Sequence, residues 1–200
     1  MATDNKIILT DCDGVLLDWE AEFHNWMSMN GYKQVEFGLY EIDLMYGIER
    51  TVSKRLIKEF NNSSWVGYMP AFGDARSGVA RLVEAGYKFV CITSLSLCSR
   101  ASQLRKENLE KVFGADTFID VVCLDTGADK DEALLPYKDS GLYWVEDKDE
   151  NALVGYDLGL KSILLEHNHN VDYKSYSLVP QSKVPRLANW NAIADAIISG

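Results

Sequence analysis

The chain has 200 residues, 47% of them hydrophobic and 25% charged, with 30 Asp and Glu against 20 Lys and Arg and a formal net charge of −10. That is enough apolar material for one packed domain, or one domain with an insert. The acidic balance argues against a broad footprint for a nucleic-acid backbone, which needs clustered Lys and Arg; a small anionic ligand would need a metal ion or a few placed lysines.

The first segment, "MATDNK", carries no apolar signal region, and no later stretch approaches membrane-spanning length. Cys12, Cys91, Cys98 and Cys123 show no C-x-x-C spacing, so buried, reduced thiols are expected, and with them a cytoplasmic setting. "KIILTD" (6–11) reads as the first strand and runs into Asp11-Cys12-Asp13-Gly14. Two amphipathic helices follow. "WEAEFHNWMSMNG" places Trp19, Phe23, Trp26 and Met27 on one stripe, and "ERTVSKRLIKEF" does so with Val52, Leu56, Ile57 and Phe60. The next strand begins only near Lys88, much further on than one crossover helix requires. Residues 17–73 therefore read as a small helical cap inserted after the first strand, leaving 1–16 and 74–200 as the core.

Beyond the cap, helix and strand patterns alternate. A helix over 74–86 leads to "KFVCIT" (88–93), and a helix over 99–114 leads to "FIDVVCL" (118–124). "LYWVED" (142–147) is followed by a helix over 149–159, then "KSILLE" (161–166), a polar loop over 167–187 and a last helix over 189–198. The strands are continuous apolar runs, as expected when both faces are covered. Such alternation predicts an α/β fold with a doubly wound parallel sheet, in which ligands collect at the carboxyl ends of the strands.

Those ends carry the chemistry. The first supplies Asp11 and Asp13, the second Thr93 and Ser94, and the fourth Glu146 and Asp147; Lys130 follows the third at the start of a helix. Carboxylates converging from two strands repel each other unless a cation lies between them, and oxygen-only ligands favour a hard ion such as Mg²⁺. With Lys130 and the hydroxyls of Thr93 and Ser94 to hold further oxygens, the set suits phosphoryl transfer.

"DCDGV" resembles the D-x-D-G-[TV] signature of the haloacid dehalogenase superfamily, and "FVCITS", Lys130 and "WVED" fall in the order of its other three motifs. The resemblance implies that Asp11 is the nucleophile and Asp13 the general acid and base. It further implies that Thr93 binds the phosphoryl group, that Lys130 neutralises charge, and that Mg²⁺ is held by Asp11, Asp147 and the Asp13 main-chain carbonyl. An acid two residues past the nucleophile favours a phosphatase over an ion-pumping ATPase or a dehalogenase, while a phosphomutase would also keep the pair. "DCDGVLLDWEAEFHNWM" is further similar to the opening of the 5'(3')-deoxyribonucleotidase group, which implies a nucleoside monophosphate substrate with Trp19 over the site. A different small phosphate ester, a polynucleotide end, or a catalytically weak protein that only binds phosphate ligands stay open.

Simpler roles compete at several positions. Thr93 and Ser94 can cap the following helix, Lys138 can replace Lys130, Asp149 can be a helix N-cap, and Glu146 can act beside the metal or ligate it. Trp19, Trp26 and Trp65 suit cap packing, and His167 with His169 reads as a solvent-exposed pair in a polar loop. The sequence assigns no oligomeric state.

Overall fold

The computed structural model describes residues 6–39, 41–167, 170 and 183–200. Six strands form one parallel sheet: β1 (Ile7–Thr10), β2 (Lys88–Thr93), β3 (Phe118–Cys123), β4 (Tyr143–Glu146), β5 (Lys161–Leu165) and β6 (Arg186–Leu187), in the order β3-β2-β1-β4-β5-β6. The first five lie where the apolar runs placed them. The sixth corrects the reading of 167–187 as loop throughout, since its last two residues pair with Leu164 and Leu165. A two-residue edge strand behind a proline has no periodicity to reveal it. His169 and much of that segment lie outside the described residues.

Helices α1 (Trp19–Met29), α2 (Ile42–Tyr46) and α3 (Arg50–Asn61) separate β1 from β2, with α4 (Ala75–Glu84) leading into β2. Further on come α5 (Ser99–Phe113), α6 (Asp131–Leu134), α7 (Asp149–Asp157) and α8 (Trp190–Ser199). Ile8 and Leu9 on the central β1 are fully buried, one on each face, as expected of a strand covered on both sides. The order of the strands reverses between β1 and β4, and in such sheets a crevice opens there at the carboxyl ends.

Close contacts fix this frame. Gly78 on α4 lies so near α8 that a Cβ would stand 2.6 Å from the Trp190 carbonyl oxygen. The Trp190 ring is buried and donates its Nε1–H to the Val15 carbonyl at 2.7 Å. Asp74 accepts from the first amides of α8, those of Trp190 at 2.8 Å and Asn191 at 2.9 Å, in the manner of a helix cap.

The stretch from α1 to α3 is tied to the rest of the fold at its two ends, by the Asn61 side chain donating to the Leu95 carbonyl at 3.1 Å and by backbone pairing where the chain leaves and returns. The Asp18 amide donates to Pro70 and the Phe72 amide to Leu16, at 3.0 and 2.8 Å, so the outgoing and returning chains run side by side next to Asp13. Asp18 caps α1 through the Ala21 amide. Trp19 stacks on Phe23 with ring centroids 4.6 Å apart, and Phe60 of α3 meets both rings edge-on. All four cysteines are free, but the expectation of buried thiols holds fully only for Cys12 and Cys91; Cys98 is exposed because it precedes α5 rather than lying in a strand. Among the described residues no helix is long and apolar enough to cross a membrane.

Candidate active site

The site begins with the tight turn after β1. Asp11 still holds sheet register, its amide donating to Val145 at 2.9 Å. The Cys12 carbonyl then accepts from the amides of Val15, Leu16 and Leu17. Gly14 makes this turn at φ +76°, a left-handed conformation that costs other residues energy. A Cβ there would also stand 2.6 Å from Oδ2 of Asp147, so the turn presses against the end of β4.

Asp11, Glu146 and Asp147 consequently converge, with one carboxylate oxygen from each within 4.8 Å of the others. Lys130 joins them from the start of α6. Its Nζ lies 2.8 Å from Oδ1 of Asp11 and 2.8 Å from Oε2 of Glu146. Lys138, the other lysine within sequence reach, is exposed. Glu146 is buried and also accepts from the Asn151 side chain at 3.0 Å and the Lys148 amide at 3.3 Å.

Burial of like charges governs the protonation of this group. Burial, helped by Asp11 and opposed by Lys130, pushes the Glu146 carboxyl up to about 7. Asp147 is raised well above the usual carboxylate range by burial and by its neighbours Glu146 and Asp11. Burial would lower the Lys130 ammonium, but Asp11 and Glu146 outweigh it and hold the group above its ordinary value. Three buried carboxylates sharing one lysine are under-neutralised, and their donor set is all hard oxygen. The oxygens of Asp11, Glu146 and Asp147 thus fit a small divalent cation such as Mg²⁺, which this cluster could hold.

Asp13 lines the same cavity but stands apart from the carboxylate cluster. Its carboxylate takes a bidentate pair from Arg105 of α5, at 2.5 and 3.2 Å, and Arg105 also donates to Sγ of the buried Cys12 at 2.9 Å. Burial raises the Asp13 carboxyl, and Arg105 opposes the rise. Sequence reasoning missed Arg105. It occupies the buried stripe Ala101, Arg105, Leu109 of α5, and a cation on an apolar stripe is a signal in itself.

Thr93 ends β2, is buried and lines the cavity above the carboxylates; Ser94 lines it too and donates its hydroxyl to the Ala128 carbonyl at 2.7 Å. Neither caps α5, whose N-cap residue is Cys98. Asp149 is likewise no N-cap but the first residue of α7, paired with Arg186 at 3.2 Å. His167 corrects the expectation of a solvent-exposed histidine. Its Nε2 lies 2.5 Å from the Gly14 carbonyl oxygen and its ring stacks on Phe72 at 4.4 Å, with burial lowering its pKa.

The cavity over this floor measures about 650 Å³, a size that accepts a nucleotide-sized ligand. Trp19 lines it while stacked on Phe23 and held by its Nε1–H to Oδ1 of Asn61 at 2.9 Å. Trp26 and Trp65 pack against the apolar cluster instead. A face of α3 also lines the cavity, and its chemistry had no counterpart among the expected site residues.

No family model matches the chain. An uncharacterised 32.4 kDa protein of Enterobacteria phage T4 is 26% identical over 132 residues, covering 62% of this chain and 47% of the relative. The chain thus spans about half the length of that relative. Solved structures share the fold. A predicted phosphatase from Clostridium acetobutylicum aligns with a TM-score of 0.65 at 14% identity, over 98% of this chain and 99% of that one. The D,D-heptose bisphosphate phosphatase from B. bronchiseptica, complexed with magnesium and phosphate, gives 0.58 at 13% identity, over 97% and 98%. A haloacid dehalogenase-like family hydrolase from Streptococcus pneumoniae gives 0.57 at 12%, over 80% and 84%. Likeness at such identity shows that the chain has the α/β fold of these proteins.

Proposed function

We propose that this chain is a Mg²⁺-dependent phosphomonoester hydrolase acting through an aspartyl-phosphate, with a nucleoside monophosphate as substrate and residues 17–73 as a helical cap over the core. The observation that carries the reading is the floor of the cavity, where one buried lysine bridges Asp11 and Glu146 with Asp147 alongside. The same-fold phosphatase solved with magnesium and phosphate supports it.

In this mechanism a carboxylate oxygen of Asp11 attacks phosphorus, and the bond from phosphorus to the ester oxygen breaks. Asp13, whose carboxyl burial keeps protonated more readily than usual, gives its proton to the departing oxygen. Asp13 then takes a proton from water, which attacks phosphorus and releases Asp11. Lys130 holds Asp11 in place and offsets charge beside it, while Thr93 and Ser94, which line the cavity, would receive phosphoryl oxygens. Bound Mg²⁺ would neutralise charge on the phosphoryl oxygens and on the carboxylates. Trp19 offers an aromatic wall for a base or sugar.

The test is a panel of 5'- and 3'-deoxynucleoside monophosphates against sugar phosphates, each with Mg²⁺ and with chelator. Nucleotide preference with chelator-sensitive turnover is expected. A strong sugar-phosphate preference would overturn the nucleotide assignment, and tight nucleotide binding without turnover would make the chain a ligand-binding protein.

A further inference from the structure

One face of α3 lines the same cavity as the carboxylates. Arg50, Ser53, Lys54, Ile57, Lys58 and Asn61 all line it, the i, i+3, i+4, i+7, i+8, i+11 pattern of a helix face. Three of these are cations four residues apart, so about 6 Å separates each from the next and about 12 Å the first from the last. Arg50, Lys54 and Lys58 are exposed, and none forms an ion pair among the described residues. Arg55, on another face of the same helix, is paired with Glu59 at 2.9 Å. In a chain of net charge −10, three unpaired cations facing one cavity call for an anion. Asp18, Glu20, Glu41, Asp43 and Asp129 also line the cavity and Lys148 adds one further cation, but only the three cations of α3 stand in a row on a single face.

The scissile phosphate does not account for the row. On the reading proposed above, that group lies on the floor with Asp11, Lys130 and Thr93, and a nucleoside monophosphate has no other charge to offer. We propose that Arg50, Lys54 and Lys58 form a subsite for a second phosphate, so that among nucleotides the preferred substrate is not the plain monophosphate but one bearing a phosphate beyond the ester that is cleaved. That phosphate belongs either to a free nucleoside bisphosphate or to the next link of a short single strand. The spacing suits both, since a row can receive one phosphate at several points or successive phosphates along a backbone. This assignment rests on the phosphatase reading for the reaction, though not for the binding.

The experiment compares kcat/KM for a deoxynucleoside 5'-monophosphate, the matching 3',5'-bisphosphate and a 5'-phosphorylated trinucleotide, in the unaltered chain and in the triple variant Arg50→Gln, Lys54→Gln, Lys58→Gln. Both longer substrates are expected to exceed the monophosphate by about tenfold or more at low salt, as charge-assisted contacts allow. The preference should collapse in the variant and fade at about 0.5 M salt. A trinucleotide ahead of the bisphosphate assigns the second phosphate to a strand, and the reverse order to a free nucleotide. Equal kcat/KM for all three, or a preference that survives in the variant, would overturn the subsite. If no ester is hydrolysed, the phosphatase reading fails, and calorimetric titration of the bisphosphate against the monophosphate still decides the row: tighter bisphosphate binding lost in the variant supports it, and equal binding refutes it.

Discussion

Removing either member of the Asp13–Arg105 pair should have unequal effects on stability, because the two ends are unequally buried. The Arg105 side chain is 0% exposed and that of Asp13 is 21% exposed. Asp13→Asn leaves a guanidinium fully enclosed with no counter-charge, and breaking a buried pair in that way costs about 3–5 kcal/mol. Arg105→Met leaves a carboxylate that water reaches from the cavity, and it also removes the buried Nε that has no hydrogen-bond partner among the described residues. Its cost should therefore be smaller, about 1–3 kcal/mol after allowing for solvent screening. Urea melts of the two single variants and the double variant measure this directly, and the double should be more stable than Asp13→Asn alone. Activity divides differently: Asp13→Asn should abolish turnover. Arg105→Met should keep some, with the alkaline limb of kcat/KM moved to higher pH, because Arg105 lowers the pKa of Asp13, the proton donor, against burial. Equal losses of stability, or a more damaging Arg105→Met, would refute the argument from unequal burial.

Gly14→Ala should lose about 2 kcal/mol or more by chemical melts and lower Mg²⁺ affinity, because the new Cβ meets Asp147 in a left-handed turn; unchanged metal binding would remove Asp147 from the proposed ligands. The folded metal-free chain holds a proton on Glu146 that the unfolded chain gives up near 4.5, so this group's contribution should fall as pH rises from there through about 7, in the same sense as that of Asp147. Mg²⁺ needs the ionised carboxylates, so it should raise the Tm more at pH about 8 than at pH about 5.5; an equal rise at both would contradict the cluster. Trp19→Phe keeps a ring against Phe23 but removes the hydrogen bond to Asn61. It should cost about 1 kcal/mol and raise KM for nucleotides more than for p-nitrophenyl phosphate, and equal rises would limit Trp19 to packing.

The five longer strands were legible because continuous apolar runs of four to seven residues, flanked by helical stripes, leave little choice of fold. Strand ends were equally legible, since Asp11, Thr93 and Asp147 break those runs with groups that burial disfavours. What escaped was set by three-dimensional pairing. Arg105 reaches Asp13 across 92 positions of sequence, and His167 reaches Gly14 across 153. The strand at Arg186 exists only because β5 offers it an edge. The α3 row was present in "ERTVSKRLIKEF", but periodicity marked the face carrying Leu56 and Phe60, and only the fold shows that the adjacent basic face borders the cavity.

The central claim is that the Asp11 carboxylate forms the covalent bond to phosphorus. Turnover of p-nitrophenyl phosphate with Mg²⁺, measured for the unaltered chain and for Asp11→Asn, tests it most directly. The account predicts readily measured hydrolysis in the first and a loss of at least about a thousandfold in the second, since the amide cannot supply the attacking oxygen. Equal rates in the two proteins would contradict it.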